Sequence, residues 1–212
     1  PLPTKQITTH KAFWISVLLT LVGLFMLYMI NYKTAFFAAV SVFLYTCIYT
    51  PLKPITPLSV FVGAIPGAIP FMLGWVAATN KFGIEPGTLF MIQFFWQFPH
   101  FWALGWMLDD DYKKAGFNML PTGNRDKTTA LQIILYIIWM MIVSIFPVTG
   151  LTGDLYINFG SAIVVFIFGI IMLILGINLY NKMDINSAKK LFYGSVFYLT
   201  LIQIVYIIDK FL

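Results

Sequence analysis

The chain has 212 residues, of which 60% are hydrophobic and only 10% are charged, and its mean hydropathy is +0.87. A soluble domain is nearer about half apolar and a quarter charged, so this composition excludes a soluble enzyme, a disordered chain and a nucleic-acid-binding module. The net charge of +5 is interpreted as a topology signal and as contact with anionic lipid headgroups. The single cysteine, Cys47, excludes a disulfide framework and a cysteine-based metal site within one chain.

Apolar runs long enough to cross a membrane follow one another along the chain. A bilayer core of about 30 Å requires roughly 20 apolar residues in a helix. Seven runs qualify, at residues 12–30, 34–50, 57–78, 88–107, 129–150, 155–180 and 190–208. We predict an all-α fold, a polytopic membrane helical bundle with seven transmembrane helices embedded in the lipid bilayer.

The connections between these runs are short except for residues 108–128, which are also highly charged. Seven spans place the amino terminus and the loops 51–56, 108–128 and 181–189 on one side. That side carries ten of the thirteen basic residues, Lys5, Lys11, Lys53, Lys113, Lys114, Arg125, Lys127, Lys182, Lys189 and Lys190. Since basic residues concentrate on the inner side of a membrane, the loop 108–128 is predicted to be cytoplasmic.

The end of the second span carries a tyrosine and a lysine on the predicted cytoplasmic side, in Tyr49-Thr50-Pro51-Leu52-Lys53-Pro54. A tyrosine hydroxyl and a lysine ammonium are donors suited to a diphosphate. An interfacial tyrosine and a lysine that only sets topology explain Tyr49 and Lys53 as well. Their position on the same side as the charged loop makes them candidate substrate-binding residues.

The third span is rich in small residues and contains Pro66 and Pro70. Small residues allow helices to approach closely, and the two prolines predict a bent or broken helix beside a cavity. Close packing alone explains the same pattern.

The fourth span contains the polar residues Gln93, Gln97 and His100. Their spacing of i, i+4 and i+7 predicts one stripe along the helix. Polar groups inside a membrane are costly, so they are functional candidates by default, and Gln97 and His100 are candidate substrate-binding residues. Hydrogen bonding between helices is the alternative explanation.

Three consecutive carboxylates, Asp109, Asp110 and Asp111, follow the fourth span. Mg²⁺ is usually held by one or two carboxylates together with substrate phosphates, so these residues are candidate metal ligands. On a regular helix their side chains point about 100° apart, so they can share an ion only if the helix ends there, as Gly116 indicates. The alternative is a solvated acidic helix end balanced by Lys113 and Lys114.

Several of these stretches together resemble the UbiA superfamily of intramembrane prenyltransferases, and within it the branch that modifies haem. The resemblance covers essentially the whole chain. The stretches that carry it are Tyr49-Thr50-Pro51-Leu52-Lys53, Gly63-Ala64-Ile65-Pro66-Gly67-Ala68, Gln97-Phe98-Pro99-His100-Phe101-Trp102, Asp110-Asp111-Tyr112-Lys113-Lys114-Ala115-Gly116 and, near the carboxyl terminus, Ala188-Lys189-Lys190-Leu191-Phe192 with Ser195.

The resemblance implies a single intramembrane prenyltransferase domain over residues 1–212. It implies transfer of a farnesyl group from farnesyl diphosphate to the vinyl group of haem B, giving haem O and diphosphate, with Mg²⁺ as the cofactor. Asp110 and Asp111 match the second of the family's two aspartate-rich motifs, which makes them the catalytic residues, with Asp109 as a further metal ligand. The implied substrate-binding residues are Tyr49, Lys53, Gln97, His100 and Lys114.

The resemblance also implies a multi-pass protein of the cell inner (cytoplasmic) membrane with its active-site loop in the cytoplasm. It implies contact with haem A synthase or the terminal oxidase assembly. Family members usually have nine spans and a first aspartate-rich motif after the second, whereas this chain opens at Pro1. We therefore expect an amino-terminally truncated domain. Pro54 stands where an arginine is common in the family, and Asn118 where a proline is usual.

Other membrane proteins remain as alternatives at this stage. A UbiA-type enzyme for another aromatic acceptor has the same pattern, and so does a seven-span transporter. A retinal-binding receptor requires a lysine inside its last span, and residues 191–208 contain none. A transporter is expected to show internal repeats with interrupted helices, and the sequence has no clear repeat.

Overall fold

The computed structural model describes residues 1–211, and every regular element among them is helical. The helices are α1 (Thr9–Ile30), α2 (Tyr32–Phe43), α3 (Leu58–Thr79), α4 (Ile84–Met107), α5 (Asp109–Lys114), α6 (Lys127–Ile145), α7 (Phe159–Lys182) and α8 (Ile185–Asp209). Helix α2 continues as a π-helix, Leu44–Tyr49, and then as a helical turn, Thr50–Leu52. A 3₁₀ segment, Phe146–Thr149, extends α6. The predicted all-α fold is confirmed.

Each of the seven predicted spans forms a long helix, and six of them are long and apolar enough to cross a membrane. The fourth, predicted at 88–107, forms the 24-residue helix α4 but is less apolar than the others. Its position explains the difference, because α4 lies at the centre of the bundle and contacts α3, α6 and α8, with half of its residues buried. Side chains surrounded by protein need not be as apolar as those that face lipid.

Several predicted boundaries differ from the observed helices by two to five residues, and two of them have a clear physical reason. The fifth loop extends further than expected, since α7 begins at Phe159 although the apolar run begins near 155. Leu155 and Ile157 account for the run, because they are buried although they lie outside the helix. Helix α8 begins at Ile185, before the predicted 190, and the Asp184 side chain caps it by accepting a hydrogen bond from the Ser187 amide.

Helix α3 runs without interruption through Pro66 and Pro70, so the predicted break is absent among its described residues. Pro70 has no amide hydrogen and cannot donate to the carbonyl four residues before it. That carbonyl, of Pro66, accepts instead from Ser41 Oγ of α2 at 3.1 Å. A side chain from a neighbouring helix thus satisfies a group that would otherwise remain unpaired in an apolar environment.

Helix α6 begins immediately after the charged loop, and the Asp126 side chain defines that beginning. Its carboxylate accepts a hydrogen bond of 2.7 Å from the Thr129 amide, and also bonds the Thr122 hydroxyl. A carboxylate at a helix start satisfies free amides and is stabilised by the helix dipole. The hydrogen bond from the Thr129 amide is the main cause that lowers the pKa of Asp126.

Candidate active site

The three aspartates lie at a corner between two helices rather than at the end of one. Helix α4 ends at Met107, and Leu108 leaves helical geometry with φ −107° and ψ 16°. The aspartates then form the first turn of the short helix α5, where the helix dipole favours negative charge. The expected helix end at Gly116, which has φ +76°, is present, but it follows α5. The break before the aspartates was not predicted.

Each of the three carboxylates has a cationic partner of its own. Asp109 is buried, with its side chain only 7% exposed, and Lys113 Nζ donates to it at 2.9 Å. Asp110 accepts from Arg125 Nη2 at 3.1 Å, and Asp111 from Lys114 Nζ at 3.4 Å. Asp110 and Asp111 are 72% and 74% exposed. The two exposed carboxylates are therefore accessible to a ligand, whereas Asp109 is enclosed by protein.

The donor set limits how a metal ion could bind here. Within residues 1–211, no group of three His, Cys, Asp or Glu side chains is arranged to hold a metal ion. Mg²⁺ does not need such a cage, because phosphate oxygens and water complete its coordination when one or two carboxylates are present. Asp110 and Asp111 are exposed carboxylates of the kind that Mg²⁺ shares with a diphosphate, and as adjacent residues of α5 their side chains point about 100° apart. Asp109 is enclosed and paired with Lys113, so its position suits a structural role in holding α5 in place.

Tyr49 and Lys53 are brought together by the π-helical end of α2. Lys53 Nζ lies 4.4 Å from the centroid of the Tyr49 ring, and both residues are half-buried. The ring packs directly against Gly63 of α3, where an added Cβ would lie 2.7 Å from two ring carbons. Short π-helical segments are rare and often occur at functional sites. Here the segment directs an ammonium group and a phenol to the same place.

Gln97 and His100, three residues apart on the continuous helix α4, contact different neighbouring helices. Gln97 is buried against α3 and its amide donates to the Ala64 carbonyl at 2.9 Å. This contact is of the interhelical kind given as the alternative.

His100 faces α8, where its Nδ1 lies 2.8 Å from Ser195 Oγ. Its ring stacks between Trp96 and Phe192, with each centroid 4.6 Å away. Trp96 Nε1 donates to the Ser195 carbonyl at 2.6 Å. The sequence indicated both His100 and Ser195, but it did not indicate that they are partners.

A cavity of about 290 Å³, lined mainly by apolar residues but partly polar, lies against Pro121 of the charged loop. It is lined by Thr56, Pro57, Leu58, Val60, Phe61, Phe98, Trp102, Pro121, Gln132 and Tyr136. Tyr136 packs against two aromatic residues in its wall, with centroid distances of 4.3 Å to Phe98 and 5.0 Å to Trp102. The cavity thus combines an aromatic wall with a few polar groups, as ligand sites commonly do.

Several residues of this region were missed by the sequence reasoning. Gln132 and Tyr136 are four residues apart on α6 and share one face, so their polar spacing in an apolar helix could have indicated them. Arg125 gave no such signal, because its partners Trp106 and Asp110 belong to other elements. Lys114 has a side chain that is 78% exposed and forms an ion pair with Asp111.

The sequence was compared with known proteins. The profile of the UbiA prenyltransferase family matches residues 1–202. A protein named protoheme IX farnesyltransferase from Flavobacterium psychrophilum is 62% identical over all 212 residues, and one with the same name from Christiangramia forsetii is 60% identical. The chain spans 71% of the length of each. A third protein of that name, from Cytophaga hutchinsonii, is 40% identical over 99% of this chain and 73% of its own length.

No solved structure matches the chain. The residues matched by the family profile and by the three relatives include those of the cavity, the aspartate corner and the Tyr49–Lys53 pair. The chain therefore belongs to the UbiA prenyltransferase family.

Proposed function

We propose that the chain transfers a farnesyl group from farnesyl diphosphate to the vinyl group of haem B, releasing diphosphate and giving haem O. Relatives named protoheme IX farnesyltransferase match the chain over its whole length, one of them at 62% identity. The structural observation that carries the proposal is an aromatic-walled cavity that is lined in part by Pro121, a residue that follows the aspartate corner in the same loop. An amphipathic substrate with a charged head and an apolar tail requires such a pairing.

The polar head of the substrate is assigned to the exposed groups at the corner. Asp110 and Asp111 would hold Mg²⁺ together with the diphosphate, and the ion would supply neutralisation of the leaving group's charge. Lys53 and Lys114 supply further positive charge, and Tyr49 supplies a hydroxyl donor. Asp109, which is enclosed and paired with Lys113, keeps α5 in place.

The cavity is assigned to the reacting end of the prenyl chain. The bond between the allylic carbon and the diphosphate oxygen breaks, and the diphosphate keeps its electron pair. The vinyl group of haem B supplies the pair for the new carbon–carbon bond, which leaves a cation on the haem side chain. The oxygen of a water molecule then bonds to that carbon, and a proton is released to solvent. Exclusion of bulk water from the cavity protects the allylic cation until the acceptor reacts.

The protein is a multi-pass integral membrane protein, as its family and its apolar helices require. We place it in the inner membrane with the aspartate corner in the cytoplasm, since ten of thirteen basic residues lie on that side of the seven-span topology. Contact with haem A synthase or the terminal oxidase assembly belongs to the same proposal, because an apolar product is passed on most directly within the bilayer.

The test is an assay of the full-length protein, purified in lipid nanodiscs, with haem B, farnesyl diphosphate and Mg²⁺. We expect haem O by chromatography and an equal amount of diphosphate, both abolished by a chelator. Prenylation of 4-hydroxybenzoate but not of haem B would transfer the assignment to another aromatic acceptor. Absence of any diphosphate release in an active membrane preparation would refute the enzymatic assignment.

A further inference from the structure

Arg125 connects the end of α4 to α5. Carbonyl groups in the last turn of a helix lack partners inside the helix. Arg125 Nε donates to one of them, the Trp106 carbonyl, at 2.7 Å. Its Nη2 donates at the same time to Asp110 Oδ2 at 3.1 Å, and its Nε lies 3.9 Å from Asp109 Oδ2.

The shape of the guanidinium group makes these contacts dependent on each other. The group is planar and its donors have a fixed geometry, so the bond to the Trp106 carbonyl also fixes the direction of the bond to Asp110. The Arg125 side chain is 25% exposed, whereas Lys114, on the same surface, is 78% exposed. Arg125 is therefore held in place, while Lys114 is free to move.

The same loop forms part of the cavity wall. Pro121 lines the cavity, and the preceding Leu120 is fully buried beside Gly105 of α4. Arg125 is followed directly by Asp126, which caps α6. The contacts of Arg125 and the burial of Leu120 thus fix two points of the loop that connects the α4–α5 corner to the cavity wall.

Stability alone does not account for this arrangement. An ion pair with a partner as exposed as Asp110 contributes little to stability, because water screens it. Its geometric effect is larger, since catalysis and binding are sensitive to displacements of about 1 Å.

We propose that Arg125 is a positioning residue: it locks the corner between α4 and α5 and fixes the direction of the Asp110 carboxylate, which binds the metal–diphosphate head of the substrate. The inference rests on the proposed function for the identity of that head. The residues that carry it are Arg125, Trp106 and Asp110.

The test compares Arg125→Gln and Arg125→Lys with Lys127→Gln, a control at the start of α6 whose ammonium lies over the Tyr180 ring, 5.5 Å from its centroid. In the haem B assay, we expect Arg125→Gln to raise the KM for farnesyl diphosphate and the Mg²⁺ concentration at half-maximal rate by about tenfold, with kcat changed less than about twofold. Arg125→Lys keeps the charge but not the fixed pair of bonds, so it should recover only part of the loss. Lys127→Gln should match the wild type.

A second measurement does not depend on turnover. Mn²⁺ binding is followed by electron paramagnetic resonance in the presence of inorganic diphosphate, and the same tenfold weakening is expected in Arg125→Gln. If the wild type makes no haem O but Arg125→Gln still weakens Mn²⁺ binding about tenfold, the proposed function is refuted and the role of Arg125 survives. Wild-type KM values and wild-type Mn²⁺ affinity in Arg125→Gln would overturn the inference, even if the yield of folded protein fell. Should Arg125→Gln not fold, Arg125→Lys carries both measurements, and wild-type values there overturn the inference.

Discussion

Gly63→Ala should weaken binding of farnesyl diphosphate through the Tyr49 ring. The added Cβ would lie 2.7 Å from two carbons of that ring. Ordinary carbon contacts lie at about 3.5–4.0 Å, so the ring must retreat by about 1 Å. Lys53, whose ammonium lies 4.4 Å from the ring centroid, is expected to move with it.

The magnitude follows from opposing effects. Overpacking costs about 1–3 kcal/mol, and replacing a helical glycine by alanine returns up to about 1 kcal/mol. We expect a net loss of stability of about 0–2 kcal/mol. Displacement of a cation from a diphosphate should raise the KM by about five- to tenfold, since tenfold corresponds to about 1.4 kcal/mol.

Gly74→Ala is the matched control on the same helix, because no heavy atom lies within 4 Å of the Cβ that it adds. It should keep wild-type kinetics and lose no stability. The assay is haem O formation as a function of farnesyl diphosphate concentration, with thermal unfolding measured in the same detergent. Equal KM values for Gly63→Ala and Gly74→Ala would show that the Tyr49–Lys53 pair does not contact the substrate.

Three further predictions test other parts of the structure. Asp110→Ala and Asp111→Ala should each abolish prenyl transfer in the haem O assay while leaving membrane insertion intact, and full activity in both would contradict the proposed site. Gly67→Ala places its Cβ against the Gln97 side-chain oxygen, so it should lower the melting temperature without changing the KM; a raised KM at unchanged stability would instead indicate that Gln97 binds substrate. The pKa of Asp126 is lowered in the folded protein, so its stabilising effect is present above the usual aspartate pKa and is lost as the pH falls through the lowered value. Between neutral pH and about pH 3, the melting temperature should therefore decrease more in the wild type than in Asp126→Asn, whose side-chain oxygen can still accept the hydrogen bond from the Thr129 amide. Equal decreases in the two proteins would show that Asp126 is not the group whose protonation lowers the stability.

The helices were predictable from the sequence because a bilayer constrains their length and composition. All seven predicted spans form long helices, and Tyr49 and Lys53 lie at the helical end of the second span as expected. Hydropathy counts residues without regard to their neighbours, so it could not show that α4 is enclosed by protein. It also could not separate Leu155 and Ile157, which are apolar and buried, from the helix that follows them.

Contacts between distant residues were the part that the sequence did not predict. The bond between His100 and Ser195 joins residues 95 positions apart, and Arg125 reaches Trp106 across 19 positions. The break at Leu108 has no proline or glycine to indicate it. Such features depend on how the helices pack, and a single sequence contains no direct record of packing.

The buried Leu120 has a consequence for the energetics of substrate capture. Connections of this length without helix or strand are commonly mobile, yet here one fully enclosed side chain anchors the middle of the segment between α5 and α6. The conformational entropy of that segment is lost when the protein folds, not when a ligand arrives. Capture of an anionic headgroup then needs only small local adjustments, so most of the interaction energy remains available for affinity.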